Sequence, residues 1–330
     1  MPQQKTKHTH TVQKEYLKSF SIEKDSKYFL WRLDKKTGKK KRLTIDNVSV
    51  ENYFYPQEVE NWLANDIEGK GIRVLKKIIE EKLVSNLNSG EKELVVKWII
   101  AQDLRTSEFR NEITQGIEQT AKLIFKTKIL PEIATQSFKE FIDKDPIKNI
   151  QMGMLKKMQR HAPIISHKYH WGIIQNISNE PYYTSDHPVQ RDNTYLKSMK
   201  KIMKKKYIGS GKGYLSKGVE FQLSLNPELK LVIMNLEPLN DMLREIWVAI
   251  KKNPQIYPSL WILFPHDKFR ELRSEKLTAK YENVLYFNSM ITGLSNRFIY
   301  SRDNNFTIAE DLLKKNPEYK DENRKRWDIS

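Results

Sequence analysis

Four polar groupings in this 330-residue chain have residue types that could do chemistry. The first is Ser185-Asp186-His187-Pro188, directly after the apolar stretch Pro181–Thr184. Pro188 biases His187 to an extended backbone, so Asp186 is expected at a strand end with its side chain free to enter a crevice. A carboxylate placed there can bind a metal, orient a histidine or act as a general base. The plainer alternative is a turn in which Asp186 caps local backbone N–H groups. The second grouping is Gln102 and Arg105, three apart on one helix face, with Arg110 shortly after. Their neighbours Trp98, Ile99 and Ile100 mark the helix as buried, and a buried guanidinium requires an anion. That anion is either a bound substrate or an internal acid such as Glu68.

The third grouping is His8 and His10, on one side of an extended segment, too few for a metal site alone. The fourth is Arg160-His161 with His167 and His170. It lacks the H-E-x-x-H spacing of a zinc helix, is interrupted by Pro163 and reads best as polar loop. No P-loop, dinucleotide fingerprint or nucleophile elbow is present; GSGKG at 209–213 reads as a flexible break.

The elements that must position these residues follow from periodicity. Tyr28–Leu33 and Leu43–Val50 flank a turn containing Gly38, which predicts an N-terminal β-hairpin. Apolar residues three and four apart predict helices from about 56 to 160, with an apolar one over Leu94–Arg105. HWGIIQNI, PYYTS, EFQLSL and LKLVIMN predict strands within about 165–236, and Val284–Tyr300 predicts a late buried helix. The expected class is therefore α+β: a central helical bundle on a small, mainly antiparallel sheet that includes the hairpin. One intertwined domain over 1–302 would precede a polar tail over 303–330.

Composition bounds the partners. Lys and Arg number 58 against 41 Asp and Glu, a net +17 that favours polyanions such as RNA or DNA. A lysine-rich solubility surface explains the same charge. Residues 193–219 hold eight lysines, Lys204, Lys205 and Lys206 among them, and no acid. With no cysteine, disulfides, thiolate zinc sites and thiol nucleophiles are excluded. The absence of an apolar leader or a span-length apolar run predicts a cytoplasmic protein without integral membrane association.

Taken in order, several of these pieces form a pattern. His10 leads to Tyr16-Leu17 and Phe20, then to Trp31 and Asp34 of the hairpin and to Asn52-Tyr53-Phe54-Tyr55. A helix with Glu60 and Glu68 follows, then Gln102, Arg105 and Arg110, Ser185-Asp186-His187-Pro188-Val189 and a late Asn288. This resembles a widespread, mostly bacterial family of domains of unknown function, over roughly residues 8–301. The family has no settled activity, and some members look like accessory genes of mobile or phage-defence regions, which implies a nuclease or toxin effector. The resemblance also implies that the scattered polar residues converge, with Asp186 facing Arg105 and His10.

Two readings of function result. In the first the chain is a phosphodiester hydrolase acting on nucleic acid or nucleotides. Asp186 and Glu68 would be acid/base groups or ligands of a divalent metal ion, and His10 a general acid/base. Gln102, Arg105 and Arg110 would hold phosphate, and Lys204, Lys205 and Lys206 would attract the backbone. In the second the chain is a non-catalytic nucleic-acid or partner-binding module using the basic loop at 193–219. A weaker third reading places an amphipathic 197–206 segment on anionic lipid.

Overall fold

The computed structural model describes residues 9–51, 56–126, 146–197, 211–253, 255 and 273–326. Its helices are α1 Lys14–Leu17, α2 Gln57–Trp62, α3 Gly69–Glu81, α4 Ser89–Leu104, α5 Ser107–Lys126, α6 Pro146–Met158, α7 Ala162–Lys168, α8 Glu237–Lys252, α9 Tyr281–Leu294 and α10 Thr307–Lys315. Its strands are β1 Thr9–His10, β2 Ile22–Lys24, β3 Lys27–Asp34, β4 Lys40–Thr44, β5 Val50–Glu51, β6 His170–Asn176, β7 Thr184–Ser185, β8 Val189–Asp192, β9 Glu220–Asn226, β10 Leu229–Met234, β11 Lys276–Ala279 and β12 Phe298–Ser301. The chain is α+β, with a helical block and mainly antiparallel sheets.

Helix α4 is the centre. Every residue from Val95 to Leu104 except Lys97 is buried, as expected of a helix apolar on nearly all sides. A reciprocal cap starts it: the Glu91 amide donates to the Asn88 side chain, and the Asn88 amide donates to the Glu91 carboxylate. Helix α3 approaches very closely, because a Cβ at Gly71 would stand 2.6 Å from the Trp98 Cβ. Between α2 and α3 the chain makes a π-helical stretch, Leu63–Glu68, a widened turn of the kind that often marks a functional region.

The first sheet has the order β11-β6-β10-β9-β8, all antiparallel except β11 beside β6. Alternation along β9 and β10 turns Phe221, Leu223, Leu225, Leu231 and Ile233 into the core shared with the helical block. The opposite face carries Gln222, Ser224 and Lys230, with the Lys230 ammonium 4.9 Å from the Phe287 ring of α9. The second sheet has the order β2-β3-β12-β7, with β4 paired to β3. The N-terminal hairpin thus joins strands from far along the chain, and Gly38 takes φ +70 in its turn.

Two sequence expectations need amending. The predicted helix Val284–Tyr300 ends at Leu294, and Phe298-Ile299-Tyr300 pairs instead with β3 and β7. β-Branched and aromatic residues fit that pleated surface better. The 303–330 segment, polar by composition, contains α10, whose Ile308, Ala309 and Leu313 are buried in a second core with Phe306. Farther on, Arg324 and Arg326 also bury their side chains. Among the described residues no helix is long and apolar enough to cross a membrane.

Candidate functional site

The end of β7 sends successive residues in opposite directions. Ser185 makes a tight local turn: its hydroxyl donates to the His187 carbonyl and accepts from the His187 amide. Asp186 turns to the loop before β12. Its carboxylate accepts three successive amides, Asn296 at 2.9 Å, Arg297 at 2.7 Å and Phe298 at 2.8 Å. Asp186 is therefore held by a distant backbone turn, and its hydrogen bonds run there rather than to Arg105 or His10 as the sequence suggested. Burial raises its carboxyl above the usual range, while those amides and nearby Lys35 pull it down. Lys35, fully buried, donates to the carbonyls of Thr292 at 2.9 Å and Ser295 at 2.6 Å at the end of α9. Burial lowers its ammonium pKa strongly.

His187 points the other way, into a buried polar network at the C-terminal end of α4. Its Nδ1 lies 2.8 Å from the Thr106 hydroxyl, and its Nε2 3.6 Å from Asp103 Oδ1. Thr106 Oγ1 also accepts the Phe109 amide and donates to the Asp103 carbonyl, so it caps α5 while fixing the imidazole. Strand alternation puts Arg191 on the same side as His187. Arg191 Nε meets Asp103 Oδ2 at 2.6 Å, and Tyr214 donates to the same oxygen at 2.5 Å. Asp103, with no exposed side-chain surface, is the hub on which Arg191, Tyr214 and His187 converge. Burial lowers the His187 pKa despite the acids Asp103 and Glu108, which favours the neutral ring. Burial, followed by the charge of Asp103, raises Tyr214 well above the ordinary phenol range.

His187 and Arg191 border a cavity of about 630 Å³, with Glu108, Glu112, Lys212, Arg324 and Arg326. Glu108 is the anchor of its far wall: Arg324 donates to it at 2.8 Å and Arg326 to both its oxygens at 2.8 and 2.7 Å. Burial pushes the Glu108 carboxyl up, but the two guanidiniums outweigh it and hold it below its ordinary value. A second cavity, about 590 Å³, is bordered by Glu51, Arg110, Asp186 and Arg297. There Arg110 pairs with Glu51 at 3.1 Å.

The remaining sequence candidates form a third network. Arg105 pairs with Glu68 and donates to the His10 carbonyl. Gln102 donates to Glu68 at 3.2 Å and accepts the Gln13 amide at 3.1 Å. His10 Nδ1 lies 3.1 Å from the Val48 carbonyl, and burial lowers its pKa. The structure thus brings together His10, Glu68, Gln102 and Arg105, and places Asp186 with Arg110 on the second cavity. Of the two anions open to Arg105, the internal acid Glu68 occupies it. Asn288, another residue of the recognised pattern, accepts the Tyr183 amide and donates to the Pro181 carbonyl, which fixes the approach to β7. Lys204, Lys205 and Lys206 lie outside the described residues. Among the described residues no three His, Asp or Glu side chains gather as a metal ion requires.

Sequence reasoning assigned no chemical role to His187, Asp103 or Arg191. The signal was present in part: Pro188 fixes an extended His187, and residues 187, 189 and 191 share a strand face. No curated protein and no solved structure matches the chain. A family model described as a protein of unknown function, DUF4238, matches residues 8–305. With residues 8–305 of the 330 inside that match, the protein belongs to the DUF4238 family.

Proposed function

We propose that the protein is a phosphodiester hydrolase acting on nucleic acid or nucleotides, with His187 as its acid/base group. The observation that carries this reading is a buried imidazole on a cavity with Arg191, Lys212, Arg324 and Arg326 around it. In this reading the cationic wall holds the phosphate and offsets charge developing on it. His187 takes a proton from the attacking water as the new P–O bond forms and the ester P–O bond breaks. The imidazolium, stabilised by Asp103, then returns that proton to the leaving oxygen. Gln102, Arg105, Glu68 and the His10 carbonyl act as the brace for the end of α4 that presents Asp103. Arg110 and Asp186 border the second cavity, where a longer strand would continue, and the basic loop adds sequence-independent attraction. Such an activity suits a toxin or phage-defence effector.

A second reading, a non-catalytic binding module, is favoured by one observation: Arg191, Arg324 and Arg326 each already hold a carboxylate. The test is incubation with labelled single-stranded RNA, tRNA and DNA in Mg²⁺, Mn²⁺ or EDTA, beside His187→Gln and Asp103→Asn. Cleavage that falls at least about a hundredfold in both variants is the expected result, and the EDTA lane decides whether a divalent metal takes part. Salt-sensitive binding without cleavage, the same in all three proteins, would sink the hydrolase reading and leave the binding module.

A further inference from the structure

We infer that residues 317–326 are a lid across one continuous cleft, latched by Glu108. Asp321 and Asn323 border both cavities. Beneath them, His187 opens on one cavity and its neighbour Asp186 on the other, and Glu108 and Ser107 divide in the same way. The 317–326 segment thus lines both spaces from above.

The attachment of that segment differs in kind from that of α10 before it. Helix α10 is fixed by buried Ile308, Ala309 and Leu313. The sequence PEYKDENRKR that follows offers one large apolar group, Tyr319, whose ring packs over Gly293. Its other attachments are polar. Arg324 and Arg326 bind Glu108. Gln115 donates to the Arg324 carbonyl at 2.8 Å and accepts the Arg326 amide at 2.8 Å. Asn111 donates to the Glu322 carbonyl at 3.2 Å. Segments held by ion pairs and hydrogen bonds, with little apolar burial, open locally well below the free energy of global unfolding. Two guanidiniums on one carboxylate make Glu108 the charged anchor of the attachment, beside the neutral partners Gln115, Asn111 and Asn296. Opening joins the cavities into a groove running from His187 past Asp186 to Arg110, and closing returns Arg324 and Arg326 to its wall. The inference concerns local opening and stands whether or not the cleft hydrolyses anything.

The test is hydrogen–deuterium exchange with mass spectrometry on the full chain, comparing wild type, Glu108→Gln and Gln115→Ala at low and high salt. The expected result is that 317–326 exchanges at least about tenfold faster in Glu108→Gln than in wild type at either salt, while 307–315 stays protected in every case. Gln115→Ala gives a smaller change of the same sign and covers the case in which Glu108→Gln does not fold. The inference is overturned if 317–326 and 307–315 lose protection together, or if 317–326 is as protected in the folded variants as in wild type.

Discussion

Asp186→Asn should cost stability, and its neighbour His187→Gln should cost far less. The Asp186 carboxylate accepts three amides at 2.7–2.9 Å and faces the buried Lys35. Replacing one oxygen by NH₂ sets a donor against a donor and leaves at least one amide of the 296–298 turn unsatisfied, a loss of about 1–3 kcal/mol. The bonds that remain lose their charge assistance, about 1 kcal/mol each. Relief of carboxylate desolvation offsets part of this, so the net cost is about 2–4 kcal/mol. His187 forms one close side-chain bond, to Thr106, and glutamine can replace it, which limits that variant to about 1 kcal/mol. Urea unfolding of both variants at pH 7.5, followed by far-UV circular dichroism, measures the difference. An Asp186→Asn midpoint equal to that of wild type would refute the assignment of Asp186 as the clamp of the 296–298 turn, and free its carboxylate for chemistry.

Three further outcomes follow from buried groups. Lys230 has no exposed surface, and burial lowers its pKa from 10.5 to about 7. Between those values the unfolded chain binds more protons, so this group makes stability rise with pH from about 7 to about 10 and adds nothing beyond. Lys230→Met should flatten that rise and gain about 1–3 kcal/mol at pH 7; urea midpoints at pH 7 and 9.5 that move in parallel for the two proteins would disprove it. Arg105→Ala leaves Glu68 without its guanidinium partner and should cost about 3–5 kcal/mol, and a thermal melt within 2 °C of wild type would contradict the pairing. Gly71→Ala drives a methyl to 2.6 Å from the Trp98 Cβ, so α3 must back away from α4 at about 1–3 kcal/mol, read as a lower urea midpoint; an unshifted midpoint would mean the helices are not held that closely.

Local pattern carried the reading of the chain wherever an element is apolar throughout or buries one face against the core. The apolar run that became α4, the hairpin around Gly38 and the pair β9/β10 are local patterns of this kind, and the α+β class followed from their segregation. What stayed hidden depends on partners far apart in sequence. Val284–Tyr300 reads as one apolar helix because the local signs of a break, Gly293, Ser295 and Asn296, are outweighed by the apolar residues on both sides. The group that fixes that break is Asp186, 110 residues earlier than Asn296. Lys230 looks solvent-exposed in LKLVIMN, and only the fold reveals Tyr182 and Phe287 around its ammonium. Arg324 and Arg326 read as a polar tail for the same reason, since their carboxylate is Glu108, more than 200 residues away.

The SDHP segment shows the limit most sharply. Strand alternation states that Asp186 and His187 face opposite ways, but not which way leads to a cavity, and a carboxylate at a strand end draws attention first. The deciding fact is that the last turn of α4 carries Asp103 and α5 begins beside Thr106, both positioned against His187. A buried polar side chain must find a partner, and in this chain that partner is usually supplied by another element. The role of such a residue is therefore set by the pairing of elements rather than by its own segment. The same logic separates the two halves of the motif: Asp186 has spent its acceptors on three amides, whereas Asp103 Oδ1 carries no hydrogen bond and faces His187. The chemistry proposed for this cleft therefore falls to Asp103 and His187, the pair whose bonding capacity is not yet used.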